Sequence, residues 1–254
     1  MSLLTPLGLL RSLLIYYAIP GRLQRLTRFY AQFVTPGDLC FDIGAHVGNH
    51  TRALRRLQAK VVAVEPQPSF ARLLKRWYGS DPGVSLLEQA IGAARGEAPM
   101  FISPRTPTVS TLSASWTQLA RQDAGFSRVT WDTQMTVPVV PLDALVEAYG
   151  LPAFCKIDVE GYELEVLRGL TQPLPLLAFE YLPARRDIAL GCLARLAELG
   201  DYSYNWSVGE QMKLNADWVS PAQVAEYLHN LPATAREGNV YARNRRMDSS
   251  PGAI

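Results

Sequence analysis

The chain has 254 residues, 48% of them hydrophobic and 19% charged, with a formal net charge of +2. That length and balance fit one large globular domain with a substantial core, and a charge so near zero gives no reason to expect a nucleic-acid partner. The three cysteines, Cys40, Cys155 and Cys192, follow no metal-ligand spacing. Cys40 and Cys155 fall inside apolar runs, so the set reads as reduced, buried thiols of a cytoplasmic protein.

The opening stretch, MSLLTPLGLLRSLLIYYAIPG, is apolar but interrupted by Pro6, Gly8, Arg11 and Pro20. It lacks the basic leader and small-residue cleavage site of a signal peptide, and its longest apolar part is too short to span a bilayer. The next stretch, GRLQRLTRFYAQFV, sets Leu23, Leu26, Tyr30 and Phe33 at helical spacing, with Arg22, Arg25 and Arg28 recurring every three residues. Such a helix can lie on a membrane, but packing on the domain with a solvated basic face is the commoner use. Membrane contact through residues 1–34 is therefore the less favoured reading, and residues 1–36 are expected to form an N-terminal helical segment.

From residue 37 to 245 strands and helices alternate. Strand-like LCFDI (39–43) leads to helical VGNHTRALRRL (47–57), then KVVAVEP (60–66), helical PSFARLLKRWYG (68–79) and VSLLEQAIG (84–92). This rhythm predicts right-handed βαβ units around a mostly parallel sheet. It breaks between Gly96 and Val140, where the strand candidates APMFIS and QMTVPVV flank a polar, Ser/Thr-rich stretch. A loop of that length, 103–134, is expected to be a lid or acceptor-binding loop. The alternation then resumes with PLDALVEAYG, AFCKIDV, GYELEVLRGL, PLLAFEY and ARRDIALGCLARLAELG. YSYNWSV and GNVYARN can close the sheet as an antiparallel pair, and residues 246–254 are expected to be a disordered tail.

Ligands of open α/β sheets bind at the carboxyl ends of strands. The first strand–helix turn reads FDIGAHVGNHT. Gly44 permits the tight turn, Gly48 lets the helix begin close to a ligand, and the amides there could face an anion. The dinucleotide pattern G-x-G-x-x-G is absent, and the charge of Asp42 would repel a pyrophosphate. S-adenosylmethionine, with an ammonium, a sulfonium and a carboxylate, suits this turn better. Glu65, 23 residues after Asp42 at the end of the second strand, is placed to accept from both ribose hydroxyls. At the exit of the third strand, Glu88 or Gln89 could bond the exocyclic amine, with Ala90 and Ile91 packing on the ring. Ala45, His46, Asn49 and Pro66 complete the expected cofactor-binding set. Singly, each of these residues has an ordinary reading as a cap, turn or surface residue.

FDIGAHVGNHT, VVAVEPQPSF, EQAIGAARGE, VSTL, FCKIDVEGYELEVLRG, LAFEY and GNVYARN occur in that order. In this the chain resembles the FkbM-type family of S-adenosylmethionine-dependent methyltransferases, from about Gly37 to Arg243. The resemblance implies a Rossmann-like class I methyltransferase fold, an α/β architecture with a mostly parallel seven-stranded sheet flanked by helices. It also implies methyl transfer, usually to a hydroxyl of a sugar, glycan, lipid or polyketide-type molecule. The cofactor role then falls on Asp42, Gly44, Gly48 and Glu65, and KIDVEG brings Asp158 and Glu160 beside the reacting centre.

A hydroxyl acceptor benefits from a base. The candidates are His46, His50, Asp158, Glu160 and Glu180, with Asp158 also adjoining the methionine end of the cofactor. His46 is expected neutral because it lies at a helix N-terminus. Glu160 divides between capping the helix after Gly161 and serving the site. Asp158, Glu160 and Glu180 could together hold Mg²⁺ or Mn²⁺, although no metal-type spacing supports this and a site without metal is the preferred reading. Ser110, Thr111, Trp116 and Trp131 are candidates to cover the acceptor, and His229 reads as a surface residue. Two alternatives come from other classes: a nicotinamide-dependent oxidoreductase, and a non-catalytic cofactor-binding scaffold.

Overall fold

A computed structural model describes residues 4–120, 129–209, 211–215 and 217–247. Two helices open the chain, α1 (Leu4–Tyr17) and α2 (Arg22–Tyr30). Pro6 does not interrupt α1, because it falls in the first turn, where the missing N–H has no helical partner to lose. The alternating unit follows as β1 (Leu39–Ile43), α3 (Asn49–Arg56), β2 (Lys60–Val64), α4 (Pro68–Tyr78) and β3 (Val84–Leu87). A small second sheet interrupts it, made of β4 (Ala90–Ile91), β5 (Gly96–Ile102) and β6 (Thr133–Val140), with the short helix α5 (Ala114–Ala120) between β5 and β6. Next come α6 (Leu142–Tyr149), β7 (Phe154–Ile157), α7 (Glu163–Arg168), β8 (Leu176–Tyr181), α8 (Arg186–Leu199), β9 (Tyr202–Val208), α9 (Pro221–Asn230) and β10 (Gly238–Asn244).

The main sheet has seven strands in the order β3-β2-β1-β7-β8-β10-β9. β10 runs antiparallel to both of its neighbours, while the pairs β3–β2, β2–β1, β1–β7 and β7–β8 are parallel. This is the class I methyltransferase arrangement, with the strand order reversing between β1 and β7. Strand alternation divides the core into two layers. Phe41, Ile43, Cys155, Ile157, Leu177 and Phe179 point to the side of α7 and α8. Cys40, Phe154 and Ala178 point to the other side, where α2 and α3 bring Leu26, Phe29, Tyr30 and Leu54. The three thiols are buried and unpaired, and burial pushes them up, away from the reactive thiolate.

Two features differ from the sequence pattern. The strand candidate 84–92 is two strands, because the chain leaves the main sheet after Leu87 and Ala90–Ile91 pair with Val139–Val140 of β6. α9 was not anticipated, although Ser220 and Gln223 form a complete capping box around Pro221. The tail expectation falls largely on residues 248–254, which lie outside the described residues.

Candidate active site

The turns after β1, β2 and β7 meet at the carboxyl ends of these strands. At Gly44 φ is +82°, and a Cβ there would stand 1.8 Å from the carbonyl oxygen of Asp158. Only glycine lets the turn after β1 pass so close to the turn after β7. Gly48 serves a different contact from the one expected. With φ at +73°, a Cβ would stand 2.6 Å from Leu74 and 3.2 Å from Tyr78, both of α4. This glycine lets α3 start against α4, and it does not line the cavity.

The loop between them keeps its own amides occupied. Gly44 N and Ala45 N donate to Val64 O at 3.0 and 2.9 Å, Gly48 N donates to Ala45 O, and His46 N donates to Glu65 Oε2 at 2.8 Å. These four N–H groups are therefore not an anion cradle. Ala45 is buried in the core beneath them. Asp42 is also beneath: it is fully buried, its Oδ2 accepts from Thr51 Oγ1 at 2.5 Å, and it does not reach the cavity. Burial raises its pKa to about 6, against the hydrogen bond from Thr51. Asp42 reads as a tie from β1 to the first turn of α3. The chain turns before the strand end can expose it.

The cavity above this loop is lined by Gly44, His46, Asn49, Glu65, Pro66, Gln89, Ala90 and Asp158 among others. Glu65 joins two turns, since its Oε1 accepts from Gln67 N at 2.7 Å while its Oε2 accepts from His46 N. Burial raises its pKa to about 7 despite those two bonds. Each carboxylate oxygen keeps a lone pair that can face a ligand hydroxyl. Gln89, Ala90 and Ile91 line the same cavity, whereas Glu88 is exposed and off it. The ring of His46 is boxed by Phe70, with centroids 4.1 Å apart, and by Tyr16, at 5.3 Å. Its Nε2 is buried without a hydrogen-bond partner. Burial lowers its pKa to about 4, with Asp158 working against the shift. A buried carboxylate with spare acceptor capacity and an unpaired imidazole nitrogen beside apolar walls suit a nucleoside with a polar tail.

A second cavity of about 490 Å³ adjoins the first. The two share Tyr16, His50, Thr108, Asp158 and Glu160, so a group held in one can reach a group held in the other. Between them oxygen atoms of Asp158, Glu160 and Glu180 all lie within 4.8 Å of one another. Lys156, not anticipated from the sequence, sits under this cluster with 1% of its surface exposed and donates to Asp158 Oδ2 at 3.1 Å. It lies on β7 beside Asp42 and Ala178, on the α2–α3 side of the sheet. Period-two alternation from Asp158 back to Lys156 was the available signal.

Burial would raise the pKa of Asp158, but the charge of Lys156 and its hydrogen bond overcome that and hold Asp158 below its usual range. Burial and the Asp158 charge instead push Glu160 and Glu180 well above the carboxylate range. Lys156 keeps its charge: burial opposes it, and Asp158 and Glu180 restore it. His50 Nδ1 lies 2.6 Å from Tyr30 Oη, and burial with Lys156 lowers its pKa to about 3, so both site histidines are neutral.

The helix-capping reading of Glu160 does not survive. α7 begins at Glu163, and it is the Glu163 carboxylate that accepts from Val159 N and Gly161 N, each at 3.2 Å. Glu160 itself has φ at +54°, strained for a non-glycine residue. Thr111 Oγ1 holds it there by donating to its carbonyl at 2.7 Å. Ser110 and Thr111 line the first cavity and Trp116 the second. Trp131 lines neither: it packs with Trp116 and donates to Val109 O at 2.8 Å. Residues 121–128 of the expected lid lie outside the described residues, and His229 is exposed, as expected.

Residues 42–183, which carry nearly all of these groups, match the family model described as the methyltransferase FkbM domain. Over 159 residues the chain is 28% identical to the hexuronic acid methyltransferase AglP of Haloferax volcanii, covering 61% of this chain and 59% of that protein's length. It is also 28% identical to methyltransferase sdnD of Sordaria araneosa, over 63% of this chain and 73% of the other. Among solved structures, precorrin-6y C5,15-methyltransferase of Geobacter metallireducens superposes with a TM-score of 0.44 at 11% identity, over 88% of this chain and 87% of that one. With the family model spanning the turns after β1, β2 and β7, the chain belongs to the FkbM methyltransferase family.

Proposed function

We propose that this protein transfers a methyl group from S-adenosylmethionine to a hydroxyl, on a sugar, glycan, lipid or polyketide-type acceptor. The observation that carries the reading is the junction of the two cavities, where Asp158 and Glu160 line both. The first cavity takes the cofactor. Glu65 would accept from its ribose hydroxyls, Gln89 with Ala90 and Ile91 would meet its adenine, and His46, Asn49 and Asp158 would face its amino-acid end. The bound cofactor supplies an electrophilic methyl on a sulfonium, a step that depends mainly on alignment.

The acceptor enters the second cavity. Its hydroxyl proton passes to the carboxylate cluster, where Lys156 keeps Asp158 ionised and the two glutamates compete for the proton. A carboxylate with a raised pKa is a stronger base than an ordinary one once it is ionised. The three carboxylates could also hold a divalent cation, and Lys156, bonded to Asp158, supplies a positive charge beside them. The hexuronic acid named for AglP supports a sugar acceptor, and the size of the second cavity accommodates one.

The test is incubation with methyl-labelled S-adenosylmethionine and a panel of hydroxyl acceptors that includes hexuronic acid glycosides, read by mass spectrometry. Label on an acceptor oxygen is the expected result. Label only on nitrogen or carbon, or stabilisation by NAD but not by S-adenosylhomocysteine, overturns the reading.

A further inference from the structure

Most helices of this fold turn an apolar face inward and a polar face outward, but α1 does not. Its sole charged residue is Arg11. The helix is tied to the domain: Tyr17 Oη donates to Val47 O at 2.8 Å, Arg22 Nη1 donates to Ile15 O at 3.0 Å, and the exposed Arg11 donates to Thr106 Oγ1 at 3.1 Å. The outer side presents Leu10, Leu14 and Ile15 at 53%, 57% and 40% exposure, and Ile19, in the turn that follows, is 46% exposed. Leu10 and Leu14 form one row of the helix surface, with Ile15 beside it. Trp77, 41% exposed, stands against Tyr17 at the edge of this patch. Of the seven large exposed hydrophobic residues among those described, three thus lie on α1, a fourth, Ile19, in the turn that follows it, and a fifth, Trp77, on the neighbouring α4. A helix apolar on every side is normally buried in protein or in lipid.

Charge says which. No acidic residue precedes Asp38, whereas Arg11, Arg22, Arg25 and Arg28 do. Arg25 and Arg28 are exposed on α2, with Arg25 donating back to Pro20 O at the turn joining α1 to α2, and Arg52 lies over the Tyr17 ring. A second copy of this chain packed on the same patch would bring these arginines together. An anionic lipid surface would meet both the apolar rows and the arginines.

We propose that α1 and the turn into α2 form an interfacial docking surface for anionic membranes. α1 has 14 residues and no helix among those described is long and apolar enough to cross a bilayer, so the segment lies on the membrane. Ile15 and Tyr16 of this helix also line the second cavity, so docking brings the mouth of that cavity to the lipid. The docking itself does not depend on the methyl-transfer reading.

The test is co-sedimentation of the full chain with phosphatidylcholine vesicles and with mixed phosphatidylcholine–phosphatidylglycerol vesicles. Binding to the mixed vesicles alone, weakened by salt, is expected. The double variant Leu10→Gln/Leu14→Gln should lose about tenfold or more in partitioning, and Arg25→Gln/Arg28→Gln should lose the phosphatidylglycerol preference, both with unchanged melting temperature. No binding to either vesicle, or binding by both variants as strong as that of the unaltered chain, overturns the proposal. So does a concentration-dependent dimer abolished by Leu14→Gln in a protein that ignores vesicles.

Discussion

The two sides of the site treat their carboxylates in opposite ways. On the β1–β2 side, Glu65 is bonded by two backbone amides and ties the turns after β1 and β2, while Asp42 ties β1 to α3 through Thr51 with its second oxygen unpartnered. On the β7–β8 side, three carboxylates crowd one lysine, Glu180 Oε2 has no hydrogen-bond partner, and Glu160 sits on a strained backbone. The first side is built to hold a shape. The second keeps proton affinities far apart within one cluster, the arrangement that acid–base chemistry uses.

The largest expected effect separates the two sides. Asp158→Asn removes the ionised member of the cluster, and turnover should fall by about 10²–10⁴, with a smaller change in affinity for S-adenosylhomocysteine by calorimetry. If affinity collapses and turnover at saturation is kept, Asp158 belongs to the cofactor side instead.

Next comes pH. Burial raises both Glu65 and Glu163 from 4.5 to about 7 in the folded state. At these two acids the folded protein therefore binds more protons than the unfolded chain in that window, and their contribution to stability falls as pH rises through it. Each shift corresponds to about 3 kcal/mol at most. His46 and His50, lowered to about 4 and about 3, act in the opposite sense up to the ordinary histidine range, so the acids are read from the difference between variants and the unaltered chain. Glu65→Gln and Glu163→Gln should each lower melting temperature less at high pH than at low pH relative to the unaltered chain, and a difference independent of pH contradicts the raised pKa of that acid.

Glu65→Gln at fixed pH should be milder. It gives up a charged acceptor for ligand hydroxyls and forces an amide against two backbone donors, so cofactor affinity should drop about ten- to a hundredfold. Saturating cofactor should restore turnover. The smallest effect lies outside both cavities: Trp131→Phe loses its bond to Val109 O, for about 1 kcal/mol of stability and no change in turnover.

Much of the frame was legible in the sequence, because strand–helix alternation is a strong periodic signal and glycine at a chain crossing leaves a mark. Gly44, Glu65, Gln89 and Asp158, picked out at strand ends and the turns after them, line the first cavity. Asp42 and Gly48 do not, for a common reason. A residue at a strand end or a helix start can face a ligand or the neighbouring element, and sequence does not say which. Thr51 and Leu74, nine and 26 positions further along, decide these cases. Glu160 and Glu163 show the same ambiguity within one turn, since either carboxylate could have bonded the amides that Glu163 takes. Lys156 escaped notice because a lysine amid apolar residues reads as an edge position until the strand proves central. The small second sheet was half visible: its strands were, but β4 is too short to carry a pattern.

The most direct test crosses the two sides. Asp158→Asn and Glu65→Gln would be compared for S-adenosylhomocysteine affinity and for turnover at saturating cofactor. The division of labour predicts that Asp158→Asn loses turnover with affinity largely kept, while Glu65→Gln loses affinity with turnover largely kept. Equal losses of both quantities in both variants would contradict it.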